Sequence, residues 1–281
     1  MLVYWDGGDP EGRPVVVHPG TPSCRVMGRY GHEAAVAARV RLLAMSRPGY
    51  GGSTTTTVPS LLATGRDTAA LAAALGLQEY AVHGISGGGP FAVAAAVADP
   101  DAVRAVGLAG GIGPWRLLNE PSEKDREDRG FLAQHDAGDT AGATAGYRHA
   151  VARDMGPLAG LDDGARVDAF FADLLSGPLT RDDAYRALWA ANLAVVLDSP
   201  DGYVTDNLAW GGSWDVDPRD VVAPTTLWYG ENDDICPAAH GRWYADRIDS
   251  SQLEILPGEG HLGVCDGHWP DVLAGLLRAW T

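Results

Sequence analysis

The sequence of 281 residues is poor in cysteine, in basic charge and in long apolar runs. Its three cysteines, Cys24, Cys236 and Cys265, are odd in number and far apart, which argues against a disulfide framework. No cysteine or histidine pair has the spacing of a zinc site, and we expect neither a metal nor a cofactor. No apolar run approaches the roughly 20 residues of a membrane span. Because the first residues also lack the pattern of a signal peptide, we expect a cytoplasmic protein.

Acidic side chains outnumber basic ones by 37 to 21, and the formal net charge is −16. A polyanion is repelled by nucleic-acid backbones and by anionic membrane surfaces, so neither is an expected partner. Hydrophobic residues make up 46% of the chain, which is enough for a sizeable core. We therefore expect a globular protein that acts on a small molecule, while the composition leaves the oligomeric state open.

Short apolar runs alternate with helical stretches, which predicts an α/β fold with a mostly parallel sheet between two layers of helices. The predicted strands cover residues 14–18, 41–46, 80–83, 103–109, 225–229 and 252–256. The predicted helices of this part cover residues 60–75 and 87–99, a stretch from about residue 237, and a final stretch after residue 270.

This alternation stops after residue 114 and returns at residue 225. Between them, amphipathic stretches predict helices at 165–176 and 181–197. The charged residues 120–130 are typical of a solvated face or a loop, and the small, polar residues 134–146 are typical of a loop. We therefore expect an α/β core of residues 1–114 and 218–281, and a helical insertion of residues 115–217.

The strongest motif is a G-x-S-x-G at residues 84–88, placed between a predicted strand and a predicted helix. In that context the chain turns so sharply at Ser86 that small neighbours are needed, and the hydroxyl is exposed at the edge of the sheet. Ser53 and Ser213 also follow glycine pairs, but each lacks the second glycine of the motif. Ser86 is therefore the predicted nucleophile.

A serine hydroxyl becomes a good nucleophile only when a neighbouring base takes its proton. His261 lies in a glycine-rich loop after the last predicted strand, at the same sheet edge as Ser86, and is the predicted base. His18 and His83 also end predicted strands, and we expect them to shape the loops that follow.

The base needs a carboxylate that orients it and stabilises its protonated form. The loop after residues 225–229 contains Glu231, Asp233 and Asp234, and spacing alone leaves all three open.

Together these residues resemble the α/β-hydrolase superfamily, in particular its small-molecule hydrolases with a helical cap. HPGTP at 18–22 is similar to the family's oxyanion loop, with an additional proline after the histidine. SRPGYGGS at 46–53 is similar to its D-x-P-G-x-G-x-S turn, with Ser46 in place of the usual aspartate. GENDDICP at 230–237 and PGEGHL at 257–262 resemble its acid and histidine loops.

The resemblance implies the α/β-hydrolase fold, with residues 115–217 as the cap. It favours Asp233 over Asp234 as the acid, and it implies an oxyanion hole formed by the backbone amides of Thr21 and Gly87. Relatives with an aspartate nucleophile, such as haloalkane dehalogenases, are disfavoured by Ser86.

The expected chemistry is acyl transfer, and a serine hydrolase of small carboxylic esters is the first hypothesis. A thioesterase, a lactonase, a carbon–carbon bond hydrolase and an aminopeptidase remain open, as do a ligand-binding receptor and a cofactor-free lyase. Aromatic side chains of the insertion are expected to line an apolar substrate pocket. These are Trp115, Trp189, Trp210 and Trp214, together with Phe170 and Phe171.

Overall fold

The computed structural model describes residues 1–123, 125–175 and 182–280, and its central feature is one seven-stranded sheet. The strands are β1 (Val3–Gly8), β2 (Arg13–His18), β3 (Val40–Ser46), β4 (Tyr80–Ile85), β5 (Val103–Ala109), β6 (Thr225–Gly230) and β7 (Ser251–Leu256). Their order across the sheet is β1-β3-β2-β4-β5-β6-β7. Only the edge strand β1 is antiparallel to its neighbour, so the other six strands end at the same edge of the sheet.

Helices cover both faces of this sheet and also occur among the described residues between β5 and β6. They are α1 (His32–Ala38), α2 (Leu61–Ala74), α3 (Gly89–Ala98), α4 (Trp115–Leu118), α5 (Arg126–Asp136), α6 (Thr140–Met155), α7 (Asp163–Leu174), α8 (Asp183–Val196), α9 (Asp201–Gly211), α10 (Ala238–Ala245), α11 (His261–Gly267) and α12 (Trp269–Ala279). In the described part of the chain, no helix has both the length and the apolar character to cross a membrane.

Alternate side chains of the central strands enter two separate cores, as a sheet buried on both faces requires. One core joins Val16, Val82 and Val106 to helices α2, α3 and α10. The other joins the neighbouring strand positions, such as Ala81 and Ala105, to α1, α11 and α12. The expected α/β fold is therefore confirmed, and the six predicted strands lie within one or two residues of those observed.

The edge strand β1 was not predicted, because its sequence VYWDGG contains an acidic residue, ends in two glycines and is only partly buried. Such a strand lacks the continuous apolar run of the central strands. Helix α1 was missed as well. The predicted ends of two helices, at residues 176 and 181, lie outside the described residues.

The prediction of a loop at 134–146 was wrong for most of that stretch, because α5 ends at Asp136 and α6 begins at Thr140. Helix α5 also covers residues 126–130 of the charged stretch. The carboxylate of Asp139 caps α6 by accepting a hydrogen bond from the Gly142 amide, at 2.9 Å. Small residues then allow close packing: Ala143 is fully buried, and Gly146 faces the ring of Phe131. Tertiary packing here outweighs the low helix propensity of glycine and threonine.

The described residues between β5 and β6 contain helices and no strand. The division into a core of residues 1–114 and 218–281 and a cap of residues 115–217 remains our proposal for the domain organisation.

His83 in β4 makes the stability of this sheet dependent on pH. Burial lowers the pKa of its imidazole to about 4, although Nδ1 donates a hydrogen bond to the carbonyl of Gly107. Between that pKa and the unfolded value near 6.5, the unfolded chain binds the extra proton, so stability falls as the pH falls. We expect this histidine to lower the free energy of unfolding by about 2 kcal/mol between pH 7 and pH 5.

Urea unfolding of wild type and His83→Gln at both pH values measures this contribution, since glutamine keeps an amide donor but does not titrate. His149→Gln is the matched control, because His149 is exposed on α6. If the free energy of unfolding depended on pH identically in wild type and both variants, the prediction would be contradicted.

Candidate active site

Ser86 stands directly after β4, at the turn into α3, and its backbone has the left-handed value φ = 50°. Such a conformation is strained for a residue with a side chain and persists only where the surroundings impose it. Two glycines make the turn possible. A Cβ on Gly88 would lie 2.0 Å from the carbonyl oxygen of His18, and one on Gly84 would lie 2.7 Å from the Cα of Gly89. The turn therefore presents the Ser86 hydroxyl at the carboxyl edge of the sheet.

The structure brings Ser86, His261 and Asp233 together in one hydrogen-bonded chain. Nε2 of His261 lies 3.0 Å from Oγ of Ser86, and Nδ1 of His261 lies 2.8 Å from Oδ2 of Asp233. A carboxylate has hydrogen-bond acceptors and no donor, so Nδ1–H of His261 donates to Asp233 and Nε2 is left to accept the serine proton. This is the geometry that a serine nucleophile and its general base require.

Asp233 is held in place by its own loop, which follows β6. Its second oxygen, Oδ1, accepts hydrogen bonds from the backbone amides of Ile235 and Cys236, at 3.0 and 2.8 Å. Of the three carboxylates left open by spacing, it is the buried one, whereas Glu231 and Asp234 are exposed. Glu231 accepts a hydrogen bond from the amide of Gly258 instead.

The other histidines near the sheet edge are engaged elsewhere. His18 is fully buried, with Nε2 3.3 Å from Oγ1 of Thr68, and burial keeps its pKa well below the usual value. His240 accepts a hydrogen bond from the amide of Gly113, and burial lowers its pKa to about 4.

The loop after β2 places the predicted oxyanion residues beside the nucleophile turn. A Cβ on Gly20 would lie 3.5 Å from Cβ of Ser86, and one on Gly87 would lie 3.2 Å from the backbone nitrogen of Thr21. The amides of Thr21 and Gly87 are thus neighbours beside Ser86, as an oxyanion hole requires. Their role in catalysis remains a prediction.

Ser86 and His261 open into a small, mostly apolar cavity of about 90 Å³. Its apolar lining includes Met27, Phe170, Leu174, Trp189, Ile235 and Leu262. One carboxylate, that of Asp266, also lines it and accepts a hydrogen bond from the hydroxyl of Tyr185, at 2.7 Å.

Of the four tryptophans expected in the pocket, only Trp189 lines this cavity. Trp115 packs under the guanidinium group of Arg129, and Trp210 belongs to a buried cluster with Phe91 and Ile112. Trp214 meets Trp243 edge to face at 5.3 Å. These three pack where the insertion joins the core and are not among the residues that line this cavity, so their role in substrate binding stays a prediction. Phe171 is likewise buried behind Phe170.

Three residues near the site were not predicted. Cys265 follows His261 by one helical turn, and its Sγ lies 3.6 Å from Nε2 of the imidazole. Burial raises the pKa of this thiol well above its usual value. Arg47 and Asp206 form a buried ion pair behind the loop of Thr21. The i, i+4 spacing could have indicated Cys265, but no sequence signal joins Arg47 to a residue 159 positions away.

Within the described residues, no group of three histidine, cysteine or acidic side chains is arranged to hold a metal ion. The three cysteines are free and buried.

A family model described as alpha/beta hydrolase fold matches residues 13–267, which is most of the chain. The fold is similar to that of an esterase from Exiguobacterium antarcticum, with a TM-score of 0.72 and 18% identity over 100% of this chain and 96% of that chain. It is also similar to a thermophilic esterase from Thermogutta terrifontis, with a TM-score of 0.67 and 20% identity over 100% and 94% of the two chains. An enol-lactonase from Burkholderia xenovorans matches with a TM-score of 0.65 and 18% identity over 98% and 96%. The chain belongs to the alpha/beta hydrolase fold family.

Proposed function

We propose that the protein is a serine hydrolase that cleaves a small, largely apolar carboxylic ester, or a related acyl substrate, through an acyl-Ser86 intermediate. One observation carries this proposal, namely the hydrogen-bonded chain from Oγ of Ser86 through the imidazole of His261 to the buried carboxylate of Asp233. The similar fold of esterases is consistent with it.

In the first half of the reaction, Nε2 of His261 takes the proton of Ser86 while Oγ attacks the carbonyl carbon. Negative charge develops on the carbonyl oxygen, where the amides of Thr21 and Gly87 donate hydrogen bonds; each such donor is typically worth about 3 kcal/mol in the transition state. Asp233 stabilises the imidazolium that forms. When the tetrahedral intermediate collapses, Nε2–H protonates the leaving alkoxide and the acyl group stays on Ser86.

In the second half, His261 takes a proton from a water molecule, which attacks the acyl carbon. When the second tetrahedral intermediate collapses, Nε2–H of His261 returns the proton to Oγ. This step releases the carboxylic acid and restores Ser86. The net reaction consumes one water and needs no cofactor. The three buried free thiols fit a reducing compartment, and we propose a cytoplasmic location.

Burst kinetics with p-nitrophenyl acetate, butyrate and hexanoate test the function. We expect an initial release of nitrophenolate close to one equivalent per chain, and mass spectrometry should find the acyl group on the peptide that contains Ser86. A folded protein that binds the esters without turnover would favour a receptor, whereas release of product without an acyl-enzyme would favour a lyase. Turnover of matched thioester, lactone and aminoacyl substrates tests the thioesterase, lactonase and aminopeptidase alternatives.

Phe170→Ala is expected to shift the acyl preference of the enzyme toward longer groups. Phe170 lines the cavity and is only partly buried, so its removal extends the space without emptying the core. One methylene in an apolar pocket changes specificity by about tenfold or more. We therefore expect kcat/KM for the hexanoate, relative to the acetate, to rise by at least about tenfold.

Phe131→Ala is the matched control, because Phe131 is also partly buried but stacks on Tyr147 away from the cavity. Equal acyl preference in Phe170→Ala and wild type would show that another wall limits the chain length.

A further inference from the structure

A fully buried ion pair joins the sheet to the insertion directly behind the loop of Thr21. Arg47 follows β3, Asp206 lies in α9, and their side chains are 0% and 2% exposed. Nε of Arg47 donates to Oδ1 of Asp206 at 3.0 Å, and Nη2 donates to Oδ2. No other part of the proposed mechanism uses this pair.

The same two side chains also hold the loop itself. Nη1 of Arg47 donates to the carbonyl oxygen of Pro19, and Nη2 donates to that of Gly20, at 2.9 Å. The hydroxyl of Thr21 donates to Oδ2 of Asp206 at 2.7 Å and lies 3.2 Å from Nη2 of Arg47. Two successive carbonyls and one side chain of the loop are therefore fixed by a single charged pair.

The contact with Gly20 matters because its carbonyl and the N–H of Thr21 belong to one peptide group. A trans peptide is planar, and its C=O and N–H point in opposite directions. When the guanidinium group holds the Gly20 oxygen, it therefore also fixes the direction of the Thr21 N–H on the other side. A cation on the carbonyl oxygen in addition polarises the peptide, which strengthens the N–H as a donor.

A buried ion pair of this kind adds little to the stability of the fold, so stability alone does not explain its presence. Removing two charges from water costs about as much as their attraction returns, and apolar residues of similar volume are often as stabilising or more so. What an apolar pair could not do is hold two carbonyls and a hydroxyl in a fixed direction.

We infer that Arg47 and Asp206 are positioning residues that aim the Thr21 amide at the oxyanion, so that helix α9 of the insertion completes the oxyanion hole of the core. This inference rests on the proposed acyl-transfer function. It assigns to the insertion a part in transition-state stabilisation, in addition to its contribution to the walls of the cavity.

The test replaces both members at once, because a single change would leave an unpaired buried charge and could unfold the chain. We compare wild type with the double variant Arg47→Met, Asp206→Leu. The matched control is Arg41→Met, Asp6→Leu, which removes another two-point arginine–aspartate pair between β1 and β3. The measurements are kcat and KM for p-nitrophenyl butyrate, and inhibition constants of a trifluoromethyl ketone and of the methyl ketone of the same chain length.

Removal of one oxyanion donor costs about 100- to 1,000-fold in kcat, and a misdirected donor should cost less. We expect the Arg47, Asp206 variant to lose about 10- to 100-fold in kcat with KM changed by less than about threefold. Affinity for the trifluoromethyl ketone, which adds to the serine as a tetrahedral adduct, should fall by a similar factor, and affinity for the methyl ketone should not. The Arg41, Asp6 variant should retain all four values.

If the folded Arg47, Asp206 variant keeps its kcat and its affinity for the trifluoromethyl ketone, the inference is overturned, while the hydrolase function stands. If wild type itself neither turns over nor binds the ketone, the proposed function fails and the inference with it. Should the double variant not fold, Thr21→Val gives the answer, because it keeps the backbone N–H and removes only the hydrogen bonds of the hydroxyl to Asp206 and Arg47. In Thr21→Val we expect the affinity for the trifluoromethyl ketone to fall and the affinity for the methyl ketone to stay unchanged. Thr21→Ser should restore the affinity for the trifluoromethyl ketone.

Discussion

Ser86→Ala is expected to abolish labelling by a fluorophosphonate probe and to lower kcat for short p-nitrophenyl esters by about 10⁴- to 10⁶-fold. The reason is that Oγ of Ser86 lies 3.0 Å from Nε2 of His261, so the probe and the ester compete for this one activated oxygen. Mass spectrometry of the intact chain counts adducts, and peptide mapping locates them. His261→Ala should slow the labelling, because the hydroxyl remains but its base is removed.

The chain supplies two control serines, each of which directly follows a glycine pair. Ser53 is buried and donates a hydrogen bond to the carbonyl of Ser46, whereas Ser213 is exposed in the loop after α9. Ser53→Ala and Ser213→Ala should both keep the single adduct on Ser86. An adduct that persists in Ser86→Ala, or no adduct on the folded wild type, would contradict the proposed nucleophile.

Asp233→Asn is expected to lower kcat by about 10⁴-fold while leaving the fold intact. The amide that replaces the carboxylate cannot stabilise the imidazolium. Its NH₂ group would also favour the tautomer that carries the proton on Nε2, where His261 could no longer accept from Ser86. Steady-state kinetics with p-nitrophenyl butyrate measure the loss, and circular dichroism verifies the fold.

Asp234→Asn is the control, since the two aspartates are neighbours in the chain and differ in burial. Asp233 is 4% exposed and bonded to the imidazole, whereas Asp234 faces solvent. We expect less than about threefold change in kcat for Asp234→Asn, as surface substitutions have small effects. A larger loss in Asp234→Asn than in Asp233→Asn would reverse the assignment of the acid.

The sequence was informative where chemistry depends on a short stretch of backbone. The turn at Ser86 needs glycines at fixed offsets, and the loop before His261 needs them too, so both leave a local pattern. The central strands were equally clear, since burial on both faces gives each a continuous apolar run. Their ends then predict which loops meet, and Ser86, His261 and Asp233 do meet.

The sequence was least informative where contacts depend on how distant helices pack. Trp189 and Trp210 are equally aromatic and both lie on helices of the insertion, yet only Trp189 lines the cavity. Which of them does so depends on how α8 and α9 are rotated, and composition does not encode that rotation. Asp206 is a similar case, because its partner Arg47 lies 159 positions away in the chain.

The long chain separations within the site also make it a reporter of folding. Ser86 and His261 are 175 positions apart, and the hydroxyl meets its base only after β4, β6 and β7 have joined the same sheet. Such non-local parallel pairings form late and slowly, because loop-closure entropy opposes them. A fragment or a partly folded chain would therefore contain the serine without its reactivity. The rate at which a refolding sample regains probe labelling should accordingly follow assembly of the whole sheet, and not the earlier appearance of helical signal.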